Sequence, residues 1–142
     1  MTLAPQPPQN APAKRTGHCL RNFETAGPGT ASGKTGSPTA QAAGTAFSVV
    51  VNAVDANWNR VTTVTHTVHL ASTDANATLP VNAALAAGTK TFAVRLKTAG
   101  SRTLTAADVT VGSVTANTSP ALTLNPGNVS KLQVLLPGET AA

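Results

Sequence analysis

The stretch TAFSVVVNAVDANWNRV, Thr45 to Val61, decides the class of fold. Phe47, Val49, Val51 and Ala53 alternate with Ser48, Val50, Asn52 and Val54. That is the period of two expected of a strand with one face on a core. Both sets are largely apolar, so the outward face is expected to be only half exposed. Asp55, Asn57 and Asn59 then break the alternation with side chains that bond back to nearby backbone and favour turns. Trp58, the single tryptophan, falls in this turn. With so few aromatic rings in the chain, its ring is expected to cap one end of the core.

The same alternation recurs downstream. Val61 to Ala71 (VTTVTHTVHLA) has room for two short strands, with Val64, His66, Val68 and Leu70 on one face and Thr65, Thr67 and His69 on the other. Ser72 to Asn76 (STDAN) is a turn cluster, and ATLPV continues in an extended conformation to Pro80. Residues 82–89 read either as a single helical turn closed by Gly88 or as a loop. Thr89 to Lys97 is the second strong strand, with Phe92, Val94 and Leu96 facing in and Thr91, Arg95 and Lys97 facing out. Gly100 turns the chain into Arg102–Val109, where Leu104 and Ala106 face in. A strand from Val114 to Leu124 is expected to bulge near Pro120, because proline cannot donate to a central ladder. About seven short strands, with turn signals roughly every 8–12 residues, predict an all-β chain and an immunoglobulin-like β-sandwich. Its core is expected to draw on Phe47, Val49, Val51, Trp58, Val68, Leu70, Phe92, Val94, Leu96 and Leu104.

Composition points away from catalysis. Only 11% of the 142 residues are charged and tyrosine is absent, so general acid–base groups are scarce. Glu24 and Glu139 lie in the tails, and Asp55, Asp74 and Asp108 sit in or beside turns. No enzyme activity and no cofactor are expected. The net charge is +5, with Lys14, Arg15 and Arg21 near the N-terminus and the other basic residues spread without interleaved aromatics. Nucleic acid is therefore a poor partner. The single cysteine, Cys19, allows no intramolecular disulfide, and beside His18 in a Pro-rich stretch it reads as an incidental thiol. No window approaches the ~20 apolar residues of a membrane span, and no signal peptide is visible.

Several motifs have plainer explanations. GTASGKT, Gly29 to Thr35, imitates a phosphate-binding loop but has three residues between its glycines where that loop needs four; it reads as linker. Asp55, Asn57 and Asn59 have the alternate spacing of a calcium loop without its glycine and distal glutamate, and turn-forming side chains account for them. His66 and His69 are three apart, which on a strand sets them on opposite faces, so no metal is expected there. Asn76, Asn117 and Asn128 each begin an N-x-S/T triplet of the kind that Thr/Asn-rich chains produce by chance.

The chain divides into a Pro/Ala/Gly/Thr-rich arm or linker over 1–43, a sandwich over 44–127, and a C-terminal strand and tail over 128–142. The segments AGTAFSVVVNAVDANWNRV, TVHLASTDANATLP, GTKTFAVRLKTAGSRTLTAAD and LTLNPG resemble the bacterial immunoglobulin-like repeats of large secreted and cell-surface proteins of adhesin type. The resemblance covers Gly44 to Gly127 and departs at Trp58, where the family usually has glycine. It implies a spacer or adhesive module without catalytic residues, located outside a bacterial cell or on its surface.

One strand is out of place. Repeats of the family begin with a short strand resembling SKLVV, yet residues 30–43 hold no apolar alternation. Ser130 to Leu136, SKLQVLL, matches that strand but follows the closing one, with Leu132, Val134 and Leu136 on one face. GETAA at Gly138–Ala142 also echoes FETAG at Phe23–Gly27, as if one copy ran into the next. Three readings follow. The strand is donated to another copy of the chain, giving a head-to-tail filament by donor-strand exchange. Alternatively, it awaits a neighbouring repeat in a tandem array, or it folds back into its own sandwich across a marginal reach. Expected partners are copies of the chain or neighbouring repeats. The alternative from another class is a surface glycan or host ligand, disfavoured because Phe47 and Phe92 read as core and leave Trp58 alone.

Overall fold

The computed structural model describes residues 34–141 and the backbone of residues 19–22. Its strands are β1 (Cys19–Asn22), β2 (Gln41–Ala42), β3 (Ala46–Val54), β4 (Thr67–Ser72), β5 (Ala83–Ala84), β6 (Thr89–Arg95), β7 (Gly100–Arg102), β8 (Leu104–Asp108), β9 (Asn117–Thr118) and β10 (Leu122–Asn125). No helix occurs among the described residues. One layer has the order β1-β3-β6, with Thr78 bridged to Arg95 on the far side of β6. The other runs β5-β4-β8-β9, continued by β7, β10 and β2. β7 and β8 are two halves of one strand interrupted at Thr103, and β9 and β10 are two halves of another interrupted at 119–121. All pairings are antiparallel except that of β2 with β10. This strand order is that of an immunoglobulin-like β-sandwich.

The core lies between the layers. Val49, Val51 and Ala53 of β3 and Phe92 and Val94 of β6, with Leu96 just beyond, meet Val68 and Leu70 of β4, Leu104 and Ala106 of β8, and Leu122 and Leu124 of β10. From Val49 to Ala53 every second residue of β3 is buried because the pleat sends alternate side chains to opposite faces, and Val54 at the end of the strand is buried as well. Each large aliphatic side chain enclosed in this way contributes about 1.5–3 kcal/mol against the entropy lost on ordering. Phe47 is only partly buried against this cluster, and Trp58 is half-buried and outside it. The Trp58 expectation needs correcting, and the turn explains why. Asp55 Oδ1 accepts from the amides of Asn57 at 2.8 Å and Asn59 at 2.9 Å, and the Asp55 amide donates to the Asn59 carbonyl at 2.9 Å. This tight closure puts Trp58 at φ 70°, the left-handed region that glycine enters without steric cost.

Other details differ from the pattern in the sequence. Val61–Ala71 holds one strand, not two. Residues 82–89 form no helical turn. Ala86 and Thr89 exchange both backbone hydrogen bonds at 2.9 and 3.1 Å around Ala87 (φ 50°) and Gly88 (φ 70°), a two-residue hairpin turn with both central residues left-handed. At Pro120 the ladder is broken and mended locally. The Leu104 amide donates to Ser119 Oγ at 3.0 Å, and the Ser119 amide donates to the Leu104 carbonyl at 2.7 Å. The sandwich also takes in two strands that precede Gly44. β1 pairs with β3 from Cys19↔Val54 to Asn22↔Val51, and β2 pairs with β10 at Leu124↔Gln41 and Asn125↔Ala42. Neither has enough apolar alternation to announce itself; long-range register creates both. The rest of the arm, including residues 29–33 of GTASGKT and all of FETAG, lies outside the described residues.

Candidate assembly interface

Strand β10 ends at Asn125, whose carbonyl accepts from the Ala43 amide at 2.8 Å. The chain therefore leaves the sandwich at the pole where β3 begins. Beyond it Pro126–Leu136 joins no sheet. Leu132 is 95%, Val134 81% and Leu136 63% exposed. The segment is closed by a turn in which the Glu139 amide donates to the Leu136 carbonyl at 2.9 Å and the Leu136 amide donates to Glu139 Oε2 at 2.8 Å. Gly138 at φ 97°, after Pro137, gives the backbone that such a turn requires.

Its own sandwich cannot take this segment beside β3. A strand antiparallel to β3 must start at the Val54 pole, and the nine residues of β3 span roughly 30 Å at about 3.3 Å each. The five steps of chain from Asn125 to Ser130 reach roughly 17 Å.

The matching edge is on the other side of β3 from β6. The Ala53 amide donates to the Gly88 carbonyl at 2.8 Å, so Ala53, and with it Val51 and Val49, directs its backbone groups towards β6. Ser48, Val50, Asn52 and Val54 direct theirs the opposite way. There β1 covers only Val51–Val54. Among the described residues nothing pairs with Ser48 or Val50 on that side, and Val50 is 41% exposed. At the Ala46 end of this edge lies an open cleft of about 220 Å³ lined by Ser37, Pro38, Thr39, Gln41, Phe47, Ser48 and Leu122.

The acidic groups serve the fold. Asp74, buried at the start of a turn, accepts from the amides of Lys97 at 2.6 Å, Thr98 at 3.0 Å and Asn76 at 3.0 Å and from the Thr98 hydroxyl at 2.7 Å. Burial pushes its carboxyl upward, but these four donors outweigh that and hold it well below the usual carboxylate range. Asp108, its carboxylate enclosed, binds the Thr110 and Val111 amides and lies 2.5 Å from His66 Nδ1. Burial raises its carboxyl and the same donors bring it below the ordinary value. His69 instead meets Asn82 Oδ1 at 2.9 Å, so the two histidines have separate partners. Among the described residues no three His, Cys, Asp or Glu gather where a metal ion could be held. Among the described residues no helix is long and apolar enough to cross a membrane.

No family model matches the chain, and no curated protein matches it in sequence. Among solved structures it is similar to surface layer protein SbsC, domains 1–6, at 20% identity and a TM-score of 0.48, covering 66% of this chain and 12% of that one. It is likewise similar to domains 4 and 5 of S-layer protein SbsC, at 20% identity and a TM-score of 0.46, covering 63% of this chain and 47% of that one. The chain thus spans less than half the length of either structure.

Proposed function

We propose that this chain is a non-enzymatic, extracellular structural module that assembles head to tail with copies of itself, each copy donating its C-terminal strand to the next. The observation that carries this reading is the exposed alternation of Leu132, Val134 and Leu136, on a segment that cannot reach the β3 edge of its own sandwich. An apolar face left in water favours any partner that covers it, and an added strand supplies main-chain bonds together with pockets for alternate side chains. A contact between different surfaces at opposite poles need not close, so repetition gives a filament or a surface array.

The resemblance to bacterial immunoglobulin-like repeats accords with a location at the cell surface. It also supports a second reading, in which the segment is the first strand of a covalently following repeat. The echo of FETAG in GETAA favours that order of segments, since β1 immediately precedes FETAG. Light scattering and negative-stain microscopy on the full chain and on its Val134→Asp variant separate the two. Filaments from the first and monomer from the second are expected. Monomer from both would leave the tandem-repeat reading standing and remove self-assembly.

A further inference from the structure

We infer that the acceptor of the donated strand is the β3 edge opposite β6, and that β1 is a placeholder which the incoming segment displaces. This rests on the head-to-tail reading above. β1 is four residues long against nine in β3 and leaves Ser48 and Val50 without backbone partners among the described residues. SKLQVLL brings seven residues, enough to cover the edge from Val54 towards Ser48.

The parity of the pleat selects one arrangement. Leu132, Val134 and Leu136 must face the core, so they stand opposite Ala53, Val51 and Val49, each of which directs its own backbone bonds towards β6. Lys131, Gln133 and Leu135 then pair with Val54, Asn52 and Val50 and make the ladder bonds. Leu136 arrives beside the open cleft at the end of the edge, where Phe47 and Leu122 are the large apolar side chains among otherwise mostly polar neighbours. Pro137 follows opposite Ser48, where its carbonyl can still accept although it has no N–H to give. The turn at Leu136–Glu139 ends the strand at the same point.

The direction of entry agrees. A segment leaving one molecule at its Ala46 pole enters the next at the Val54 pole and runs antiparallel to β3, as β1 does. β1 holds the Val51–Val54 part of the edge until the longer strand replaces it.

Amide hydrogen exchange on the full-length chain tests this, comparing the assembled protein with the monomeric Val134→Asp variant. On assembly the amides of Val50 and Ser48 are expected to gain at least tenfold protection, while those of Cys19–Asn22 lose what they have. Assembly with Val50 exchanging as fast as in the variant would overturn the acceptor assignment and leave head-to-tail assembly intact. Protection of Val50 with Cys19–Asn22 unchanged would overturn displacement. Failure of the full chain to assemble would overturn the inference together with the reading beneath it. A mixing experiment checks the assignment independently. Val50→Pro removes the acceptor N–H that points away from β6, and Val134→Asp removes the donor. Each variant alone is expected to stay monomeric and an equimolar mixture to stop at a heterodimer; a mixture that remained monomeric while both variants stayed folded would count against the edge.

Discussion

Gly88 shows how one backbone position can depend on a missing side chain. It sits in the hairpin turn at φ 70°, and a Cβ built on it would lie 2.0 Å from the Val61 carbonyl oxygen. That oxygen belongs to backbone and cannot swing aside. Gly88→Ala combines left-handed strain with a steric conflict and is expected to destabilise the fold by about 3 kcal/mol, read as a lowered midpoint in urea unfolding. Alanine is tolerated at the neighbouring Ala87 despite φ 50°, because the side chain there is exposed. Asp74 gives the second prediction. Its folded-state carboxyl lies below the ordinary value of 3.8, so the stability it adds is fully present above that value and drains away as pH falls beneath it. Asp74→Asn keeps the shape but aims an N–H at donors, so the variant is expected to be less stable at pH 7, by about 2 kcal/mol. Its stability should also fall less steeply between about pH 4 and 2. An acid limb as steep as that of the parent would show that Asp74 does not act through its charge.

At the scale of strands, what the sequence discloses depends on how far apart the interacting residues lie. Alternation in β3 and β6 is written within each strand, so Val49, Val51, Phe92 and Val94 can be read as one face without knowing what they meet. Pro120 marks the break between β9 and β10 by its own chemistry, although the repair by Ser119 and Leu104 joins residues 15 apart. β1 gives no such signal: four residues, CLRN, become a strand only because β3 has an edge beside them. The same holds for the anchors. Asp74 reads as an ordinary turn residue until Lys97 and Thr98 close over it, and His66 finds Asp108 across 42 positions. In the candidate interface the apolar face of SKLQVLL is legible by itself. Its acceptor is not, since the half-covered edge exists only once β1, β3 and β6 are assembled.

For the whole molecule the question is whether three side chains suffice to hold two sandwiches together. Burying Leu132, Val134 and Leu136 at about 1.5–3 kcal/mol each contributes roughly 5–9 kcal/mol, and a few ladder bonds add about 0.5–1.5 kcal/mol apiece. Lost translational and rotational freedom opposes this with about 4–15 kcal/mol, and displacement of β1 takes back its own bonds. The margin is small, so the strand contact should be reversible and governed by concentration. Thermal stability then follows by mass action, because the donated strand binds the folded acceptor and not the unfolded chain. The unfolding midpoint of the full chain is expected to rise by a few degrees between about 1 and 100 μM protein, as the fraction of filled edges grows. Val134→Asp places a carboxylate where the Val51 face of the core would receive it, and a desolvated charge there costs several kcal/mol. Its midpoint should be independent of concentration and equal to that of the parent at high dilution. A parent midpoint that did not move with concentration, in a preparation that scattering shows to be assembled, would mean that the contact between copies adds nothing to the stability of each sandwich, and the C-terminal strand would have to act as a tether between folded units.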